Sequence, residues 1–346
     1  MLTIYSADHK LHHGNGELMN GQIVPCFEMP RRAELVLERV RTVKLGEVIS
    51  PRDYGVAPLA SVHSPAYITF LETAWTDWSA FGRDFDALPM TWPVRGMNQS
   101  REPQHIEAKL GFYSFDGGAP IKAGTWRAVY SSAQVALEGA AQLSQLSSAF
   151  ALCRPPGHHA ASDYMGGYCY INNAAVAAQA LLDAGATRVA IVDIDYHHGN
   201  GTQSIFYSRD DVLVVNLHGD PVFEYPFFLG HADELGSGAG EGYNLNLPLP
   251  AGTGFEVWFA ALEVACARVA RFAPDAVVVS LGVDTFMDDP ISQFRLASDD
   301  YLWIGQRIAA LALKTLFVME GGYAVEAIGV NAVNVLTGFE ERSEKK

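Results

Sequence analysis

"VAIVDIDYHHGNG", residues 189–201, decides how the chain is read. Four apolar residues of strand character run straight into two aspartates, two adjacent histidines and two glycines. A short, almost wholly apolar run is the signature of a strand buried on both faces of a parallel sheet. Charged side chains at the end of such a strand are costly unless something pairs with them. Alternate side chains of a strand share a face. Asp193, Asp195 and His197 are therefore expected on one side. Ile194, Tyr196 and His198 fall on the other, which makes His198 the bystander of the histidine pair.

Similar runs lie on either side: "SAFAL" (148–152), "VLVVNL" (212–217), "AVVVSL" (276–281) and "TLFVM" (315–319). Residues 125–146, 171–185, 255–272 and 299–313 carry apolar residues at helical spacing, and Gly185 reads as a C-cap. Alternation of this kind predicts an α/β protein: a central, mostly parallel sheet with helices on both faces. The N-terminal "MLTIYSADHK" also reads as a strand. Residues 80–124 and 218–255 break the pattern and read as long functional or interface loops; the tail 339–346 reads as frayed surface.

Composition removes several classes of function. The chain has 346 residues, 49% of them hydrophobic, and a formal net charge of −15. Nucleic-acid binding, which needs basic patches, is disfavoured; an acidic protein attracts cationic partners instead. No run of about 18 apolar residues suggests a membrane span. The N-terminus lacks the basic start and long apolar stretch of a signal peptide. The four cysteines, Cys26, Cys153, Cys169 and Cys266, form no C-x-x-C pair. They read as buried thiols of a cytoplasmic protein.

Ligands of open parallel sheets bind beyond the carboxyl ends of the strands. The chemistry is therefore expected just past each apolar run. These ends carry "CRPPGHH" (153–159), "DIDYHHGNG", His218, "GVD" up to Asp284, and "EGGY" up to Tyr323. Asp195, His197 and Asp284 offer two oxygens and a nitrogen, a set that suits a catalytic zinc or similar divalent ion with an open position. Asp193 reads as a carboxylate behind a histidine, with His158 and His159 as candidates. Tyr323 follows two glycines, and a phenol aimed inward there can donate to a developing oxyanion.

"RPPGHHA", "GGYCYINNAA", "DIDYHHGNGTQ", "LGVDTF" and "MEGGY" together resemble the zinc-dependent histone deacetylase superfamily, whose members have the arginase/deacetylase fold. "SADHKLH", Glu17, "FLETAW", "HIEAKLGFY" and "DDPISQF" extend the resemblance toward the bacterial acetylpolyamine amidohydrolases. It implies a single domain over residues 1–346, with an insertion around 80–124 at a homodimer interface. It also implies one zinc ion on Asp195, His197 and Asp284. His159 is implied as general base and then acid, backed by Asn200 where some relatives carry Asp; His158 is implied as its protonated partner, backed by Asp193. Tyr168 and Tyr225 match aromatic walls around the substrate's methylene chain.

The resemblance further implies structural potassium. Asp193, Asp195, His197 and Leu217 match one site, with Asn216 replacing a common Ser; Phe206, Arg209, Val212 and Tyr243 match a second. Glu17 and Glu107 match acidic channel-mouth positions of polyamine-specific relatives, and Asp116 lies nearby. The expected substrate is thus a small cationic acetylated diamine or polyamine, such as acetylputrescine or acetylcadaverine. A protein acetyl-lysine deacetylase and a catalytically silent metal-dependent binding protein are the competing readings. An arginase-type hydrolase needs two manganese ions, and ligands for one are present.

Overall fold

The computed structural model describes residues 1–19 and 21–343. The strands in chain order are β1 (Leu2–Ile4), β2 (Glu17–Met19), β3 (Gln22–Val24), β4 (Val48–Ile49) and β5 (Ser148–Ala151). They continue with β6 (Val189–Asp193), β7 (Val212–Gly219), β8 (Asn244–Leu249), β9 (Ala276–Leu281) and β10 (Lys314–Met319). Eight of them form one sheet in the order β4-β1-β5-β10-β9-β6-β7-β8, and β2 pairs with β3 in a small hairpin. Every pairing in the large sheet is parallel. All eight carboxyl ends therefore open on one edge.

The helices are α1 (Arg31–Thr42), α2 (Ala57–Ala60), α3 (Pro65–Ser79), α4 (Ile106–Phe112) and α5 (Thr125–Gln142). They are followed by α6 (Asn173–Asp183), α7 (Asn200–Phe206), α8 (Phe255–Phe272), α9 (Asp300–Ala309) and α10 (Val325–Ser343). Alternate residues of each strand feed opposite cores. Ala190 and Val192 join Val277, Val279 and Phe317 beneath α1, α8, α9 and α10. Val189 and Ile191 join Val278, Leu316 and Val318 beneath α5 and α6. This two-sided burial is why β6 up to Val192 and β9 up to Val279 are apolar rather than alternating. Among the described residues no helix is long and apolar enough to cross a membrane.

The five apolar runs form strands within a residue or two of their expected ends. Several other expectations are corrected. Residues 218–255 are not loop throughout, because Asn244–Leu249 forms the edge strand β8. Its polar–apolar alternation, "NLNLPL", is what an edge strand with one wet side shows. Residues 80–124 contain α4 and a bridge between Ala87 and Ile121, and they share a third core with α3 that includes Tyr67, Phe70 and Tyr113. The tail is helical to Ser343, with Phe339 buried in the main core; residues 344–346 lie outside the described residues. Gly185 follows α6 with φ +107°, as a C-terminal glycine should. All four cysteines are buried and unpaired.

Candidate active site

Four neighbouring central strands, β5, β10, β9 and β6, deliver the candidate residues to one rim. From β6 the chain winds outward to β7 and β8, then returns to β9 and winds the opposite way to β10, so the rim lies over a place where strand order changes direction, the favoured ligand position of such sheets. β6 stops at Asp193, so strand alternation does not by itself group the aspartates and His197. Turns do it instead. Asp193 Oδ1 accepts from the Asp195 amide at 3.1 Å, and Asp195 Oδ1 accepts from the His197 amide at 2.9 Å. The Tyr196 amide donates to Asp284 Oδ1 at 2.7 Å and ties the loop to β9. Each carboxylate thus shapes the backbone that presents the next.

Asp195, His197 and Asp284 are all buried, and one ligand atom from each lies within 4.8 Å of the others. His197 Nδ1 stands 3.0 Å from Asp284 Oδ2 and 3.4 Å from Asp195 Oδ1. Two carboxylates brought together out of water oppose each other's charge. Burial and the Asp195 charge push Asp284 up to about 8. A dication relieves that repulsion, and an oxygen–nitrogen–oxygen set suits zinc; the residues fit the expected ion. Gly321 is required beside them: a Cβ there would lie 2.5 Å from Asp195 Oδ2 and 2.7 Å from Asp284 Oδ2.

His158 and His159 lie side by side with ring centroids 4.0 Å apart. His158 Nδ1 meets Asp193 Oδ2 at 3.0 Å, and His159 Nδ1 meets Asn200 Oδ1 at 2.6 Å. The two partners separate the two rings electrostatically. Burial disfavours charge on His158, but Asp195 and Asp193 outweigh it and hold the ring at about 10. Burial and the charges of His158 and His197 push His159 well below the ordinary value. One imidazolium beside one neutral imidazole is an arrangement that can hold a charge and accept a proton from the same loop.

Tyr323 is buried, and burial drives its hydroxyl well above the ordinary value, so it remains a donor. Its backbone is held by Asp289, which accepts from the Tyr323 amide at 2.7 Å and the Ala324 amide at 3.2 Å. Tyr168 stands 5.6 Å from Tyr323, and Tyr225 lies edge-on to His159 at 5.2 Å. Tyr168 adopts φ +68°, which is uncommon for a bulky residue. Before it, Gly167 has φ +52°, and a Cβ there would lie 2.4 Å from His159 Cδ2.

The acidic residues divide. Asp116 does not present a free carboxylate: it accepts from Tyr225 Oη at 2.7 Å, the Gly118 amide at 2.9 Å and the Gly167 amide at 3.1 Å. Glu17 is buried beside Tyr168; it accepts from the Phe27 amide at 3.3 Å, and burial raises its carboxyl above the ordinary value. Glu107 is paired with Arg83, with His105 Nδ1 3.8 Å away, so within one chain it joins a separate cluster.

His218 does not reach the rim. It lies inside β7, bonds the Gly219 carbonyl at 2.9 Å and packs 4.7 Å from His198 on the far side. His198 in turn meets Gln203 Oε1 at 2.9 Å.

Of the residues expected to hold potassium, Asp193, Asp195, His197 and Leu217 cluster near the ends of β6 and β7. No donor among the described residues reaches the Asp195 or His197 carbonyl, which leaves both free for a cation. Asn216 Oδ1 accepts from the Gly199 amide at 3.2 Å. At the second position the Phe206 and Tyr243 carbonyls already accept from Arg209 and Val214 amides, both at 3.0 Å; Val212 begins β7.

Several supporting residues were not read from the sequence. Glu320 Oε2 accepts from the Gly157 amide at 2.7 Å and the His158 amide at 3.2 Å. Glu28, Arg32 and Arg154 form a buried ionic group. A charged residue directly beside each motif, in "RPPGHH" and "MEGGY", was the available signal for Arg154 and Glu320. "EMPRR" at 28–32 gave none.

Residues 26–339 match the histone deacetylase domain, and the chain belongs to that family of amide-hydrolysing deacetylases. The chain is 62% identical over 341 residues to acetylpolyamine amidohydrolase 2 of Pseudomonas aeruginosa, covering 98% of this chain and 99% of that one. It is 49% identical to the acetylpolyamine amidohydrolase of Mycoplana ramosa, with coverage of 98% and 99%. The crystal structure of an acetylpolyamine aminohydrolase from Burkholderia pseudomallei superposes with a TM-score of 0.94 at 43% identity, covering 99% of each chain.

Proposed function

We propose that the protein hydrolyses the acetamide of small N-acetylated diamines and polyamines to acetate and the free amine. The observation that carries this reading is one rim holding a three-residue ligand cluster, two adjacent imidazoles backed by Asp193 and Asn200, and a buried phenol. Asp195, His197 and Asp284 would hold one divalent ion, and zinc suits them. When bound, such an ion supplies Lewis acidity to the amide carbonyl and acidifies a water.

The chain's own residues do the rest. Neutral His159 takes the water's proton during attack at the carbonyl carbon. Asn200 fixes the ring's orientation without adding charge, which keeps His159 a weak enough base to release that proton to the leaving nitrogen. His158, held charged by Asp193, balances the negative charge that develops. Tyr323 donates to the tetrahedral oxyanion. Tyr168 and Tyr225 line the approach with flat apolar faces that suit a methylene chain and shut out water.

Charge supports the cationic substrate: the net −15 balance, and a buried Glu17 beside Tyr168. A homodimer suits the exposed apolar residues of the insertion, Phe81, Phe85, Met90 and Met97, and those of a second loop, Phe223 and Phe228. Potassium held by the Asp193, Asp195, His197 and Leu217 carbonyls would stiffen the loop that carries two of the ligands.

The test is a kcat/KM panel of acetylputrescine, acetylcadaverine, acetylspermidine and an acetyl-lysine peptide. Preference for the small acetylated amines is expected. A preference for the peptide would replace this reading with protein deacetylation, and no turnover of any would reject both.

A further inference from the structure

Three charges lie buried together behind the site. Glu28, Arg32 and Arg154 are each at most 3% exposed. Arg154 grips Glu28 with two prongs, Nε to Oε1 at 2.7 Å and Nη2 to Oε2 at 2.8 Å. Arg32 Nη1 meets the same Oε1 at 2.9 Å. Burying such a group carries a desolvation cost of several kcal/mol per ion, and apolar side chains of similar volume are often as stable. Stability alone therefore does not account for it.

The remaining donors show what the group holds. Arg32 Nε donates to the Gly322 carbonyl at 2.6 Å, and Nη2 to the Glu320 carbonyl at 2.7 Å. These carbonyls bracket Gly321 in the turn that presents Tyr323. The Arg32 guanidinium also lies 4.7 Å from the centre of the Tyr323 ring. Arg154 immediately precedes the loop of His158 and His159, and its Nη1 donates to the His9 carbonyl at 2.5 Å. One carboxylate thus joins the clamp on the tyrosine turn to the root of the histidine loop. The fork geometry of two guanidiniums makes that joint directional.

We propose that Glu28 is a positioning residue that sets the Tyr323 hydroxyl against the His158–His159 pair, acting through Arg32 on one side and Arg154 on the other. The proposal rests on the reading of Tyr323 as the oxyanion donor. A neutral residue at position 28 leaves two neighbouring guanidiniums facing one another. Arg32 then shifts, and the turn it clamps shifts with it. A misplacement of about 1 Å in a reacting group can cost on the order of 100-fold in rate.

The experiment uses the full chain, with acetylputrescine and an activated trifluoroacetyl amide as substrates. Glu28→Gln should lower kcat by roughly 10–100-fold. KM and metal content should stay near wild type at a temperature well below the variant's Tm. In a Tyr323→Phe background the same change should cost less than about threefold, because the group it positions is gone. Arg154→Lys keeps the charge but not the two-pronged grip; it should give an intermediate loss, and it serves should Glu28→Gln not fold. Wild-type kcat in both Glu28→Gln and Arg154→Lys, or a full loss persisting in the Tyr323→Phe background, would overturn the proposal. Should Tyr323→Phe alone retain wild-type kcat, the oxyanion reading fails instead. The crystal structure of Glu28→Gln then decides the positioning claim separately: an unmoved Tyr323 rejects it.

Discussion

The floor of the site and its walls are built differently. The floor, at the ends of β5, β6, β9 and β10, consists of buried polar side chains that bond the backbone amides of one another's strand-end loops. Asp193, Asp195 and Asp284 each shape the loop that carries the next ligand. The walls come from segments far apart in sequence: Glu17 and Tyr168 on one side, Phe115, Asp116 and Tyr225 on the other. Phe115 stacks on Tyr225 at 5.9 Å, and Asp116 ties Tyr225 to the Gly167 amide next to Tyr168. A floor of this kind fixes the reaction, whereas such walls fix what reaches it.

Breaking the floor should cost most. Asp284→Ala removes one ligand and frees the Tyr196 amide, so activity should fall to background together with bound metal. A chelator should do the same to the wild type, with recovery on adding a divalent ion. Activity that survives exhaustive chelation would remove the metal from the mechanism. Tyr323→Phe spares the ligands. It should lower kcat by about 100–1,000-fold while metal content stays constant; near-normal turnover would leave the oxyanion without its phenol donor.

Acid tests the floor's foundation. Burial opposes the Glu28 charge, but Arg154 and Arg32 outweigh it and hold the carboxyl at about 2 rather than 4.5. A carboxyl depressed by folding stabilises fully above its unfolded value and loses that stabilisation as pH falls through the folded one. The contribution, about 3 kcal/mol, is present above roughly pH 4.5 and vanishes toward pH 2. Tm plotted against pH should therefore fall less steeply between those values in Glu28→Gln than in the wild type. Parallel curves would mean that the carboxylate carries no such shift.

The same division explains what the sequence disclosed. The strands of the floor are short apolar runs ending in charge, so both their position and their cargo were readable, as were the pairings of Asp193 with His158 and Asn200 with His159 once a family pattern was applied. β8 was hidden because an edge strand alternates polar and apolar residues and resembles loop. His218 was misplaced because β7 runs two residues beyond its apolar run, which turns that ring toward His198 instead of the rim. Asp116 read as a third acid near the channel mouth, since no periodicity records that a tyrosine 109 residues away donates to it. The Glu28 joint spans 126 residues to Arg154 and was equally silent.

The walls separate two acids that look alike in sequence. Asp116 is already committed to protein donors, so Asp116→Ala should loosen Tyr225. KM should rise by roughly tenfold, about 1.4 kcal/mol, for cationic and neutral acetamides alike. Among the described residues Glu17 accepts from one backbone amide, that of Phe27, so Glu17→Gln should raise KM for acetylated polyamines and leave a neutral acetamide of equal length unchanged. A cation-specific effect at Asp116 would reverse these assignments.

Glu107 gives the smallest expected effect and the sharpest test of where the walls end. Within one chain its carboxylate is paired with Arg83, whose guanidinium lies 4.1 Å over Trp78, and it makes no contact with Tyr168 or Tyr225. It can act on substrate only if a second copy brings it to the channel, as the exposed apolar insertion suggests. A rim charge of this kind is worth up to about 1 kcal/mol. Glu107→Ala should then raise KM for acetylated polyamines by a few-fold, more than for neutral acetamides. Dilution that dissociates the assembly should raise the wild-type KM by the same factor and abolish the difference between wild type and variant. If the difference persists in the monomer, Glu107 reaches the substrate from its own chain, and the loop between Arg83 and α4 must move to let it.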